Sequence, residues 1–246
     1  MSKKNNTTVS ANVKADFNKS RSLLKARDFI YRDVIKYHFS DDNKKLIPNF
    51  ETAFYIWNLP AILTCPFATT LCKADCYAVK AETAYKDPFP ARMENLKMSQ
   101  MPSFVDDMTA MIIKRARTMR KPRLIVRIHE SGDFYCQRYA NDWLEIVRRV
   151  ENADLNGREV IFIAYTKSFQ YFDGVELPKS FRLRASVWAD TKPEQLAIIE
   201  RNKWPIYTAV EKFTDNDEFH QCRCEDCATC GKCWDNNVPL ICCEIH

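Results

Sequence analysis

The chain has 246 residues, 46% hydrophobic and 28% charged, with a net charge of +5, which suits one large domain with a real core. Four glycines and no GxGxxG loop exclude a glycine-rich nucleotide binder, and no apolar run approaches the ~18 residues of a membrane span. The N-terminus has no apolar h-region, so the expected location is the cytoplasm, where thiols stay reduced and eleven cysteines point to metal rather than disulfides.

In chain order, residues 1–27 carry seven Lys or Arg against Asp16 alone. Such an arm can touch nucleic acid weakly, or serve as a solvated, flexible tail. "ETAFYIWNLP" (51–60) reads as a strand, and the segment "TCPFATTLCKADCYAVK" (64–80) follows at once with Cys65, Cys72 and Cys76. Residues 91–100 and 103–119 have helical spacing, with Ser103 as an N-cap. "RLIVRIHESGDF" (123–134) opens as a strand and breaks at Ser131-Gly132-Asp133. Residues 138–150 form an amphipathic helix, and "EVIFIAYTKS" (159–168) a strand buried on both faces. Residues 181–190 alternate like a strand, 191–202 form a helix with Pro193 near its start, and 204–212 and 238–246 read as the last strands.

Strand and helix alternate, so the expected fold is α/β with a parallel sheet. About six strands fall short of the eight in a full TIM barrel. That leaves a partial (β/α)6 TIM-like open barrel, or a doubly wound sheet. The expected organisation is a basic arm over 1–27, a partial barrel with its cysteine loop over 28–212, and a cysteine-rich segment over 213–246. In either architecture ligands bind beyond the C-terminal strand ends. The cysteine loop, the Ser-Gly-Asp break and Tyr165-Thr166-Lys167 all sit at such ends.

"CRCEDCATCGKC" supplies Cys222, Cys224, Cys227, Cys230 and Cys233. Its abutting C-x2-C knuckles favour a ferredoxin-type iron–sulfur run over a zinc ribbon, whose knuckles are widely separated. Five thiols are present where four suffice, so Cys222 or Cys224 is spare or reaches elsewhere. Cys136, Cys242 and Cys243 lack metal spacing and read as buried thiols. Cys65, Cys72 and Cys76 are three ligands, which hold three corners of a [4Fe–4S] cube and leave one iron open, unless a C-terminal cysteine such as Cys222 closes it. Around them, His129, Asp133 and Lys167 are candidate catalytic groups, each with a structural alternative: a strand-end cap, a turn initiator and a surface lysine. Arg184 and Ser186 alternate on one strand and can face the lumen, where Arg127 can join them.

A cysteine loop directly after the first strand of a β/α barrel resembles the radical S-adenosylmethionine (SAM) superfamily. "CYA" at 76–78 is similar to the third cysteine and following Tyr77 of spore photoproduct lyase-like members. "HESGD" (129–133) stands where that superfamily contacts the amino group of SAM, a contact the resemblance gives to Ser131, Gly132 and Asp133. The spacing here is C-x6-C-x3-C, where the superfamily carries C-x3-C-x2-C.

From about residue 55 onward the chain also resembles the phage gene product 88 family, through the "TCP…C…CYA" loop, "R-x-H-x-SGD" (127–133), "F-x-AYTKS" (162–168), "GKCW" (231–234) and the terminal "V…H" (238–246). That resemblance implies a phage or plasmid origin and an iron–sulfur protein, and it carries no reaction. The sequence therefore predicts an iron–sulfur protein with one or two [4Fe–4S] clusters and an enzyme of the radical-SAM type acting on a small or macromolecular substrate. A redox, sensing or structural iron–sulfur protein, and a zinc module binding nucleic acid, are the alternatives.

Overall fold

The computed structural model describes residues 37–40, 46, 48–213, 219–223 and 226–245. The basic arm, Cys224 and His246 lie outside them.

Among the described residues the sheet has eight strands: β1 (Phe39–Ser40), β2 (Thr52–Trp57), β3 (Arg123–Ile128), β4 (Glu159–Thr166), β5 (Phe181–Val187), β6 (Ile206–Val210), β7 (His220–Gln221) and β8 (Leu240–Glu244). Their spatial order is β1-β2-β3-β4-β5-β6-β8-β7. β1 runs antiparallel to β2; the other seven are parallel and curl into a half-barrel. Among the described residues the helices are α1 (Thr70–Ala74), α2 (Tyr77–Ala84), α3 (Pro88–Met98), α4 (Phe104–Thr118), α5 (Gln137–Glu151), α6 (Pro193–Asn202) and α7 (Cys227–Cys230).

The expected strands and the helices at 91–100, 103–119, 138–150 and 191–202 are present, within a few residues of the expected bounds. Ser103 stands at the N-cap of α4 without a side-chain cap bond, and α6 begins at Pro193. The alternation is not complete. Between β4 and β5 the chain makes only a 3-10 turn (Phe169–Tyr171), because Phe169 and Phe172 are buried and pin the crossover onto the core without a helix.

Period-two alternation decides what each face meets. On one face Ala53, Leu124, Val126, Val160, Phe162 and Leu183 pack against α4 and α5. α5 offers Tyr139, Trp143, Leu144, Val147 and Val150, spaced along one side of the helix. Burying each such side chain stabilises the fold by about 1.5–3 kcal/mol. The opposite, concave face carries Phe54, Ile56, Ile125, Ile161 and Ile163, and among the described residues Leu46 and the C-terminal Cys227, Ala228, Cys233 and Trp234 pack there. The Trp234 ring meets Phe54 edge-on, with centroids 6.1 Å apart.

Arg184 fixes that C-terminal segment. It is buried, and its Nε, Nη1 and Nη2 donate to the carbonyls of Cys233, Val238, Lys232 and Asp235 at 2.7–2.9 Å. The sequence suggested a ligand-facing arginine; the structure commits its donors to the backbone of the C-terminal segment. Among the described residues, no helix is long and apolar enough to cross a membrane.

Candidate functional site

The site lies beyond the C-terminal ends of β2 to β6. It is a cavity of about 580 Å³. Its wall includes Cys65, Cys72, Cys76, Tyr77, His129, Ser131, Gly132, Asp133, Lys167 and Ser186, all expected from sequence, and also Cys222, Cys227 and Cys233. Cys230 lies aside, its Sγ 3.6 Å from His220 Nε2.

The first thiol set is positioned by two short helices. Thr69 caps α1 by accepting from the Cys72 amide at 3.2 Å, and Asp190, beyond β5, accepts from the Leu71 amide at 2.9 Å. Cys76 is the N-cap of α2. α2 places Glu82 inward, where it accepts from the Ala61 amide at 2.9 Å and pairs with Arg92 at 2.7 Å. The segment after β2 is thus anchored at both ends.

The loop after β3 docks on that segment. Asn58 Oδ1 accepts from the amides of Glu130 and Ser131, and Ser131 Oγ donates to the Leu59 carbonyl at 2.8 Å. Gly132 sits at φ +83°, and a Cβ there would lie 2.6 Å from Leu59 Cβ and 2.6 Å from Thr64 Oγ1. Only glycine fits this close approach. The Tyr77 hydroxyl donates to the Glu130 carbonyl, although its ring is half exposed.

Asp133 binds three donors: Thr166 Oγ1 at 2.6 Å, the Lys167 amide at 2.8 Å and its neighbour, the Phe134 amide, at 2.7 Å. It therefore ties the β3 loop to the end of β4. Burial pushes its carboxyl above the usual range, and these bonds pull against that shift. Lys167 Nζ donates to Ser186 Oγ at 2.6 Å, lies 5.9 Å from the Trp188 ring centre and hydrogen-bonds the Cys72 sulfur. His129 takes φ +64°; its Nε2 meets the Tyr139 hydroxyl at 2.9 Å, and its buried Nδ1 is unpartnered. Burial, then the charge of Arg127, lowers its pKa to about 3, so the imidazole is neutral at neutral pH.

Cys65, Cys72, Cys227 and Cys233 are held against ionisation. Burial pushes Cys65 up, and Asp133, Cys76 and Cys72 push it further. Burial also raises Cys72, opposed by the charge and hydrogen bond of Lys167. In the second set burial and then Cys233 and Cys222 push Cys227 up to about 12. Burial raises Cys233, opposed by the hydroxyl of Tyr165, which donates to its sulfur, and by Arg127. The Arg127 guanidinium lies 3.8 Å from the centre of the Tyr165 ring. Buried thiols that repel one another ionise when a cation joins them.

The chemistry of this donor set fits a soft metal centre. Among the described residues, no three His, Cys, Asp or Glu side chains gather in a way that could hold a metal ion. The sulfurs are spread around a cavity, and a multinuclear cluster spaces its thiolates more widely than one ion does.

Sequence reading did not foresee Glu82, Asn58, Tyr207 or His220 near the site. Only register places them there, and a single strand or helix carries no trace of its partner's register.

Fold and site together define an α/β half-barrel with a thiol-lined cavity at its C-terminal strand ends. The family model described as "Gene product 88" matches residues 37–236, and the chain belongs to that family. Similar proteins include the "Gene 88 protein" of Mycobacterium phage L5, 30% identical over 110 residues that cover 42% of this chain and 43% of that one. The "Gene 88 protein" of Mycobacterium phage D29 is 29% identical over 110 residues, 42% of each chain. The matched segments thus span less than half of these phage proteins. No solved structure matches the chain.

Proposed function

We infer that this is an iron–sulfur protein of phage type, with Cys65, Cys72 and Cys76 holding a [4Fe–4S] cluster, and that it acts as an enzyme of the radical-SAM type. The carrying observation is the cavity itself: three thiols from one loop share its wall with Asp133, Lys167 and Ser186, which come from the ends of other strands. A cluster with one iron free of protein ligands supplies reductive cleavage of SAM. The chain's own part is to hold and tune. Lys167 puts a positive charge and a donor on the Cys72 sulfur, which favours the reduced, more negative centre. Asp133 acts as a positioning residue, because it bonds the β4 end that carries Lys167. Ser186 and the Trp188 face set the direction of Lys167. The rim between α2 and the β3 loop, closed by Tyr77, limits water entry.

The test is anaerobic purification or reconstitution of the full chain with iron and sulfide, followed by electron paramagnetic resonance with and without SAM. A brown, sulfide-containing protein whose reduced spectrum changes with SAM supports the reading. A brown protein with no response to SAM leaves a redox, sensing or structural iron–sulfur protein and removes the enzyme. A colourless protein that binds zinc instead overturns both.

A further inference from the structure

The sheet register assigns a thiol that sequence spacing passed over. Directly paired residues of parallel strands share a face. Tyr165 pairs with Arg184, Ser186 with Tyr207 and Tyr207 with Ile241, so this row faces the concave side. Two residues on, Ala209 pairs with Cys243. On the far side of β8, His220 pairs with Ile241 and Gln221 with Cys242, and the Cys222 amide then donates to the Cys242 carbonyl at 2.6 Å. The next pair in that register is Cys222 with Cys243. Both belong to the cavity wall, and Cys242 points to the other face. The Tyr207 hydroxyl donates to the Cys243 sulfur and lies near Cys222. Cys227 and Cys233, which also line the wall, interact electrostatically with Cys222.

We propose that Cys243 completes a second four-thiol iron–sulfur site with Cys222, Cys227 and Cys233, and that Cys230 stands outside it. This rests on the iron–sulfur reading above. Four thiolates saturate one cluster. The site then has no open iron, in contrast to the three-thiol loop across the cavity. Tyr165 and Tyr207 each give an O–H to one of its sulfurs, so the two tyrosines, whose rings are 4.6 Å apart, form a donor shelf beneath it. The linear C-x2-C run suggested Cys230 in its place. α7 instead turns Cys230 toward His220.

The experiment uses the full chain, apo and reconstituted under anaerobic conditions, alkylated briefly and mapped by peptide mass spectrometry. Cys243 is expected to be alkylated in the apo protein and protected once loaded, with Cys230 alkylated equally in both. Cys243→Ser is expected to lose about half of the iron and sulfide, and Cys230→Ser to keep them. The triple variant Cys65→Ser, Cys72→Ser, Cys76→Ser is expected to retain one cluster with Cys243 still protected. Protection of Cys230 or Cys224 in place of Cys243 overturns the assignment. Loss of every cluster from the triple variant overturns it too, while leaving the reading of a single cluster on Cys65, Cys72 and Cys76 intact. A wild-type chain that takes up no iron overturns both readings.

Discussion

At the residue scale, two positions carry constraints that can be measured. Gly132 combines a left-handed backbone with a Cβ position already taken by Leu59 and Thr64. Gly132→Ala should therefore destabilise the protein by about 2–4 kcal/mol, read as a lower urea midpoint, since strain and overpacking add. An unchanged midpoint would mean that the loop relaxes freely. His129 gives a pH signature. Its folded-state pKa is depressed to about 3, and the unfolded imidazole titrates near 6.5. Between those values the unfolded chain binds a proton that the native state refuses, so stability falls as pH falls through this window. Relative to His129→Asn, which tolerates the same left-handed backbone, the wild type should lose about 3 kcal/mol more between pH 6.5 and pH 4 in denaturant titrations. Parallel pH profiles for the two proteins would sink this account.

Elements rather than residues hold the cysteines in place. α1 has only five residues and no buried side chain, so it cannot persist on its own. Thr69 and Asp190 satisfy its first amides. Asp190→Ala should cost about 1 kcal/mol and speed amide hydrogen exchange over residues 70–74; unchanged exchange there would assign the helix to other contacts. Arg184→Lys should be far from conservative, because an ammonium cannot reach four carbonyls in the plane of a guanidinium. Loss of at least 3 kcal/mol, with proteolysis appearing between residues 226 and 239, is the expected result. A variant as resistant as the wild type would show that Trp234 packing alone seats the segment. Much at this scale was legible beforehand. The apolar, β-branched runs of β2 to β6 and the amphipathic stripe of α5 announce themselves, because burial writes a period into the chain. β1 and β7, two residues each, are too short to carry a period. α1 and α2 were hidden inside a segment whose cysteines drew the reading toward a loop.

At the scale of the whole molecule, a sheet covered by helices on one side meets its own C-terminal segment and Leu46 on the other, among the described residues. Sequence showed both cysteine groups but not that they share one cavity, since a tail that folds back into the concave face leaves no local signal. Arg184 illustrates this: its place on an alternating strand was readable, and its four backbone partners, some fifty residues away, were not. Ligands that bind only the native state stabilise it by mass action. Iron and sulfide should thus raise the melting temperature of the full chain by several degrees, an effect that Cys65→Ser, Cys72→Ser, Cys76→Ser should roughly halve. Equal melting temperatures with and without iron would show that the thiols contribute nothing to cohesion.

The exchange of places between the last two strands sets a timetable. Among the described residues β7 joins the sheet through β8, although β8 leaves the ribosome later. Cys222 accordingly has no fixed position until residues 240–244 have slid in between their neighbours. Everything up to β6 can settle while synthesis continues, at roughly 5–20 residues per second. The thiol chamber, by contrast, gains Cys222, Cys227, Cys233 and Cys243 in its wall only once residues 222–243 have emerged. Whatever those four thiols hold must therefore be delivered after β8 has been made.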